Sequence, residues 1–232
     1  MKSFLKKLLF AGAALSVATS FGDLPRTVTP ERQNEWWHAR HEEKLAEIVN
    51  RGDQIDLVFI GDSITHFIDS SAAGLVQEVF PGIQHLNLGF SADKTENVLW
   101  RLRNGELDGI SPQLVIIMIG TNNTGHRQDE AEVTAAAIDL IVQEVRQRVP
   151  DAQVILHSIF PRGAGPDDSL RMLNEEINAL LPAIAAGDEK VMHLDINDEF
   201  LDQDEVLSTD IMPDLLHPNA DGYDIWMDAI EP

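Results

Sequence analysis

The chain has 232 residues and no cysteine, with 39 acidic against 17 basic side chains and a formal net charge of −22. A chain of this length that is 44% hydrophobic buries a core as one domain. The lack of thiols excludes disulfides, thiolate metal sites and cysteine catalysis, and the negative surface excludes nucleic acid and anionic membrane as partners.

Lys2, Lys6 and Lys7 precede the apolar stretch "LLFAGAALSV", and Ala18 and Ser20 stand at the −3 and −1 positions of a cleavage after Ser20. This pattern predicts a secretory signal peptide over 1–20, a secreted or periplasmic location, and a single domain over 21–232. The alternative is a membrane anchor, for which the apolar stretch is short. Losing the three lysines takes the net charge from −22 to −25. No later segment reads as a span, so no stable membrane association is expected after cleavage. The acidic balance also fits a saline habitat.

"PERQNEWWHARHEEKLAEIVNRG" predicts a helix over 30–52, with Pro30 in its first turn and Gly52 at its end. Trp36, Trp37, Arg40, Leu45, Ile48 and Val49 give it a sticky side. Five apolar segments follow: Asp56–Ile60, Ile83–Leu88, Leu114–Ile119, Val154–Ser158 and Val191–Leu194. Runs such as "LVFI", "LVIIMI" and "VILHSI" lack alternation, as strands buried on both faces must. Helical patterns lie between them. "TENVLWRLRNG" offers Thr95 as its cap and ends at Gly105, with Leu99 and Trp100 expected in the core. "DEAEVTAAAIDLIVQEVRQRVP" puts Val133, Ala137, Leu140, Ile141 and Val145 on one stripe and stops before Pro150. "DDSLRMLNEEINALLPAI" does the same with Leu170, Leu173, Ile177, Leu180, Leu181 and Ile184, and a last helix follows "HPNADGYDIW". The alternation predicts an α/β fold: a three-layer α/β/α, doubly wound, flavodoxin-like sheet of five parallel strands over 55–230.

In such sheets all strand ends of one polarity share a rim, where ligands bind. Reading that rim gives Gly61-Asp62-Ser63, then Asn87-Leu88-Gly89, then Gly120-Thr121-Asn122-Asn123, and, before the last helix, Asp214-Leu215-Leu216-His217. Acyl transfer needs a nucleophile, a base, a group that orients the base, and oxyanion donors. Ser63 fits the first role, His217 the second and Asp214 the third. The backbone N–H groups of Ser63 and Gly89, with the Asn122 amide, fit the last. The competing reading makes Ser63 a helix cap and Asp214-His217 a capping pair or half a metal site.

The blocks "GDSI", "NLGFS", "IGTNN" and "DLLHP" resemble, in order, those of the SGNH (GDSL-type) hydrolases. "TENVLWRLRNGELDGISPQLVIIMIGTNN" and "IFPRG" resemble the branch containing the catalytic subunits of platelet-activating-factor acetylhydrolase. The resemblance implies the SGNH-hydrolase fold. It also implies Ser63 as nucleophile, Asp214 and His217 as orienter and base, and Gly89 and Asn122 as oxyanion donors. A homodimer and an acyl pocket near Trp100 follow from it too. Ile64 replaces the usual Leu, and Asn123 stands where many relatives have Asp.

Among lesser candidates, Asp62 reads as structural or substrate-binding, and Asn123, His66 and His126 as substrate-binding. His157 and His193 read as strand-end residues held by hydrogen bonds. His38, His41 and Glu42 lack a further ligand for a metal, which leaves surface solvation. No metal or cofactor is expected. The expected function is a serine esterase that removes short acyl groups, acetyl above all, from a small-molecule or carbohydrate ester. The alternatives are a lysophospholipase or thioesterase, an inactive carbohydrate-binding relative, and a metal-dependent phosphoesterase.

Overall fold

The computed structural model describes residues 25–231. The expected signal peptide lies outside the described residues. The five strands are β1 Leu57–Gly61, β2 His85–Gly89, β3 Leu114–Met118, β4 Gln153–His157 and β5 Val191–Leu194. All pairs are parallel, in the order β2-β1-β3-β4-β5. Each expected strand is present, displaced by two residues at most. The order reverses at β1: the chain steps one way to β2, then crosses back to β3. Gly61 aligns with Gly89 on one side and with Met118 on the other.

Alternation along the strands divides the core. Val58, Ile60, Val115, Ile117, Val154 and Leu156 face one layer, and Leu57, Phe59, Ile116, Met118 and Ile155 face the other. The first layer holds α4 Thr95–Arg103, α6 Ala131–Arg148, α7 Ser169–Asn178 and α8 Leu181–Ala185. The second holds α2 Ser63–His66, a π-helical turn over Ile68–Ala72, α3 Ala73–Val79 and α9 Ala220–Ala229. The short α5 Thr121–Arg127 follows β3, and α1 Glu35–Arg51 precedes β1.

Several expectations need correction. Thr95 is the first residue of α4 and not its cap, which is Lys94. The first helix begins at Glu35, not Pro30, because the Asn34 side chain caps it by accepting the Trp37 N–H. Gly52 does close it, with φ 51°. Its buried stripe is Trp37, His41, Lys44 and Ile48, whereas Trp36 and Val49 are exposed. His41 is therefore not a surface residue; its Nδ1 meets the Glu106 carboxylate at 3.1 Å. The segment 167–184 divides into α7 and α8, with Ala179 and Leu180 between them and Pro182 at the start of the second. The buried side of α7 is also more polar than the pattern implied. Asn178 accepts the Ile159 N–H and donates to the Ile159 carbonyl, and Asn174 donates to the Phe160 carbonyl. These amides satisfy chain that has left β4 and has no ladder partner.

A buried ionic network joins α1 to α4. Trp37 Nε1 and Gln33 Nε2 donate to Asp93 Oδ1 at 2.6 and 2.8 Å, and Arg101 Nε donates to Asp93 Oδ2 at 2.9 Å. Arg101 also pairs with Glu106, which holds His41, and its guanidinium lies 4.0 Å from the Phe90 ring centre. Burial pushes the Asp93 carboxyl up to about 6, against the pull of Arg101. Among the described residues Arg101 is the only cation in contact with both acids, so Arg101→Met strands two buried carboxylates. It should lower unfolding free energy by about 3–5 kcal/mol in urea titrations. A loss below about 1 kcal/mol would show that the network carries little stability.

Candidate active site

β1 ends at Gly61, and the chain turns at once into α2. An added Cβ at Gly61 would lie 2.5 Å from the Met118 carbonyl, so only glycine fits between the two neighbouring strands. The N-cap of α2 is Asp62, not Ser63: Asp62 Oδ1 accepts the Ile64 N–H at 3.0 Å. That removes the capping explanation for Ser63. From α9, the Tyr223 hydroxyl donates to the Ile64 carbonyl at 2.6 Å and holds α2 against the sheet.

Ser63 Oγ lies 2.8 Å from His217 Nε2, across 154 residues of sequence. His217 Nδ1 lies 2.7 Å from Asp214 Oδ2. The other Asp214 oxygen accepts the backbone N–H groups of Leu216 and His217, at 3.1 and 2.7 Å. One carboxylate thus shapes the turn and fixes the imidazole. Leu215 takes φ 58°, unusual for a leucine, and its carbonyl is tied to the Gly163 N–H at 3.0 Å. Burial opposes ionisation of Asp214, but the hydrogen bonds from His217 and Leu216 outweigh it and hold the carboxyl below its ordinary range. With its Nδ1 proton on Asp214, the imidazole presents Nε2 as an acceptor to the serine hydroxyl.

Asn122 stands at the start of α5, across the switch point from Ser63. Its Nδ2 donates one proton to the Asp93 carbonyl at 3.0 Å and has a second to offer. The Thr121 carbonyl beside it accepts from Arg162 Nη1 at 2.9 Å. Arg162 was not singled out from the sequence. It faces the charges of Asp168, Asp62 and Asp214, and burial holds its pKa below the usual arginine value. Gly89 departs from expectation. Its N–H already donates to Asn87 Oδ1 at 2.8 Å, and a Cβ there would stand 2.2 Å from His66 N. The need for glycine at 89 is close packing against α2. Further along the same loop, Ala92 adopts φ 65°, and its N–H has no acceptor among the described residues.

The remaining candidates separate. Asp62 is buried and bonded within its own turn. Asn123 is fully buried and clamps Thr95 and Asp129, so substrate cannot reach it. His126 is exposed in the last turn of α5. His66 does adjoin the site, with Nδ1 2.9 Å from Ser91 Oγ. His157 accepts from Trp226 Nε1, and His193 meets Ser158, as strand-end residues. Ser158, His193 and Asp195 form a second Ser-His-Asp group, but its polarity is wrong. The Ser158 hydroxyl donates to Asp195 at 2.7 Å, so His193 must donate to it rather than take its proton. A depression of about 620 Å³ beside this group is lined by Arg171, Glu175 and Asn197, and neither Ser63 nor His217 borders it.

The GDSL-like Lipase/Acylhydrolase family profile matches residues 59–225. The human platelet-activating factor acetylhydrolase IB subunit alpha1 is 36% identical over 187 residues, covering 81% of this chain and 78% of that protein. The rat alpha2 subunit is 32% identical over 200 residues, covering 86% and 84%. Among solved structures, an acetylxylan esterase from Geobacillus stearothermophilus matches with TM-score 0.62 at 23% identity, over 77% of this chain and 93% of that one. A GDSL-like lipase from Bacteroides thetaiotaomicron matches with TM-score 0.65 at 21% identity, over 83% and 95%. These two likenesses bear on the fold, a five-stranded parallel α/β sheet of the same class.

Burial, with the nearby Asp93 charge adding to it, pushes the Asp62 carboxyl up from 3.8 to about 7. Between those values the folded chain holds a proton that the unfolded chain has lost. Asp62 therefore stabilises the fold fully below about pH 4, and this contribution is lost as pH rises to about 7. Asp62→Asn keeps the acceptor for the Ile64 N–H but does not titrate. Thermal melts from pH 4.5 to 8 should show the variant gaining on wild type as pH rises; parallel curves would place the Asp62 titration elsewhere.

Proposed function

Because the chain belongs to the GDSL-like lipase/acylhydrolase family and is a carboxylic ester hydrolase, we propose that it works as a serine esterase that removes acetyl groups from a carbohydrate or other soluble ester. The observation that carries this reading is the line of two short hydrogen bonds from Ser63 through His217 to Asp214. Ser63 Oγ attacks the ester carbonyl as His217 Nε2 takes its proton. Asp214 holds the imidazolium that results. The oxyanion meets the Ser63 N–H, the second Asn122 Nδ2 proton and, in place of the Gly89 N–H expected from the sequence, the Ala92 N–H. His217 then protonates the leaving alcohol. Water, deprotonated by the same imidazole, hydrolyses the acyl-enzyme and restores Ser63.

The acetyl assignment is supported by relatives whose names differ in the alcohol but agree in the acyl group: an acetylhydrolase for platelet-activating factor and an esterase for acetylxylan. The net charge of −22 disfavours an anionic lipid headgroup. Among the described residues no helix is long and apolar enough to cross a membrane. The basic-then-apolar pattern of residues 1–20 supports export to the periplasm or medium.

Hydrolysis of p-nitrophenyl acetate, butyrate and octanoate by wild type and by Ser63→Ala tests the reading. Acetate should be turned over fastest, and the variant should lose at least about a thousandfold in kcat. Equal rates in variant and wild type would remove Ser63 as nucleophile. Preference for octanoate would move the assignment to a lysophospholipase or thioesterase.

A further inference from the structure

The leaving oxygen of the ester must take its proton from His217 Nε2. The alcohol part therefore lies on the His217 side of the acyl carbon, away from the oxyanion donors. That side is built of rings. Phe67 lies 5.3 Å from the His217 ring, centre to centre, His66 lies 5.9 Å from Phe67, and Trp36 of α1 stacks on His66 at 6.3 Å with planes 18° apart. Two of these rings are open to solvent although large and apolar: Trp36 is 44% exposed and Phe67 36%. We propose that Phe67, His66 and Trp36 form the wall against which the alcohol part of the substrate, a neutral pyranose ring, is held. The inference rests on the serine-esterase reading above and adds the identity and place of the alcohol.

The chemistry of the wall selects that ligand. A pyranose has apolar C–H faces that stack on flat rings and hydroxyls at its perimeter. The wall carries polar groups at its own perimeter. The Ser91 N–H points at His66 Nδ1 from 3.3 Å, which puts the imidazole proton on Nε2. His66 Nε2 has no partner among the described residues and offers that proton to a hydroxyl. Burial and the Arg40 charge lower the His66 pKa to about 4, so it is a neutral donor at physiological pH. At the edge of the wall Arg40 Nη2 lies 3.4 Å from Asp69 Oδ2 and its Nε donates to the Gly89 carbonyl, so its charge is paired and the wall favours an uncharged ligand that stacks and hydrogen-bonds. A long alkyl chain would need an enclosed groove, whereas these rings form an open face.

The test compares three acetyl esters on wild type, Trp36→Ala and Trp36→Phe: an acetylated xylo-oligosaccharide, ethyl acetate, whose alcohol is too short to reach Trp36, and dodecyl acetate. In Trp36→Ala, kcat/KM on the oligosaccharide should fall at least about tenfold further than on ethyl acetate, mainly through KM, and Trp36→Phe should recover most of it. Fluorescence titration of the Ser63→Ala protein with the same oligosaccharide should show a quench that Trp36→Phe in that background reduces. Equal losses on all three esters, or none, would overturn the proposal, as would a loss confined to dodecyl acetate. Trp36-dependent dimerisation in sedimentation, with an unchanged ratio of rates, would assign the wall to a second copy and also overturn it. Failure of the serine reading shows differently: Ser63→Ala would remain active, while the titration still reports on the wall.

Discussion

Every functional feature of this molecule depends on β1 being the strand from which the chain departs in both directions. Parallel strands place all their C-terminal ends on one rim, and a reversal of strand order leaves the two flanking connections diverging there. Ser63 follows β1 directly, the loop over 90–93 follows β2, and Asn122 follows β3. Three of the groups that the proposed acyl transfer uses thus converge because three adjacent strands end together. Only the imidazole and its carboxylate come from elsewhere, on a turn just ahead of α9, and α9 packs beneath α2 through Tyr223.

The loop after β2 has little regular structure of its own, and the buried network around Asp93 accounts for its definition. Its carboxylate gathers Trp37, Gln33 and Arg101, while its carbonyl receives Asn122. One residue therefore connects the N-terminal helix, α4 and the α5 side of the site. Removing charges from water is costly, and a well-packed apolar cluster of equal volume would serve stability as well. What the ionic arrangement supplies is direction: each donor meets one acceptor, so the loop has one position relative to Asn122 and Ser63. The left-handed backbone at Ala92 is held in the same stretch.

The electrostatics of the rim follow from the same economy of parts. Asp214 is partly open and ionised because backbone and imidazole donors converge on it, whereas Asp62, next to Ser63 in the chain, is buried and pushed toward neutrality. Two carboxylates in one site are held in different states by solvent access and donor count. The ring wall of Phe67, His66 and Trp36 extends this division outward, with a neutral imidazole between two apolar faces.

By itself the sequence determined the alternation of buried strands and amphipathic helices, because periodicity is a property of neighbouring residues. It also placed Ser63 on the rim, since strand ends in a parallel sheet can be placed without coordinates, and it showed Asp214 three residues ahead of His217, a spacing that a single turn can close. It could not decide what depends on groups far apart in the chain. That Gly89 spends its N–H on Asn87, that Asn123 is sealed against Thr95, and that His41 belongs to a buried ionic network are facts about distant partners. The polar side of α7 was illegible for the same reason: Asn174 and Asn178 are buried to satisfy backbone beyond β4, a demand that arises only when the helix lies across it. Hydrophobic pattern is local, whereas hydrogen-bond satisfaction is settled by the assembled tertiary structure.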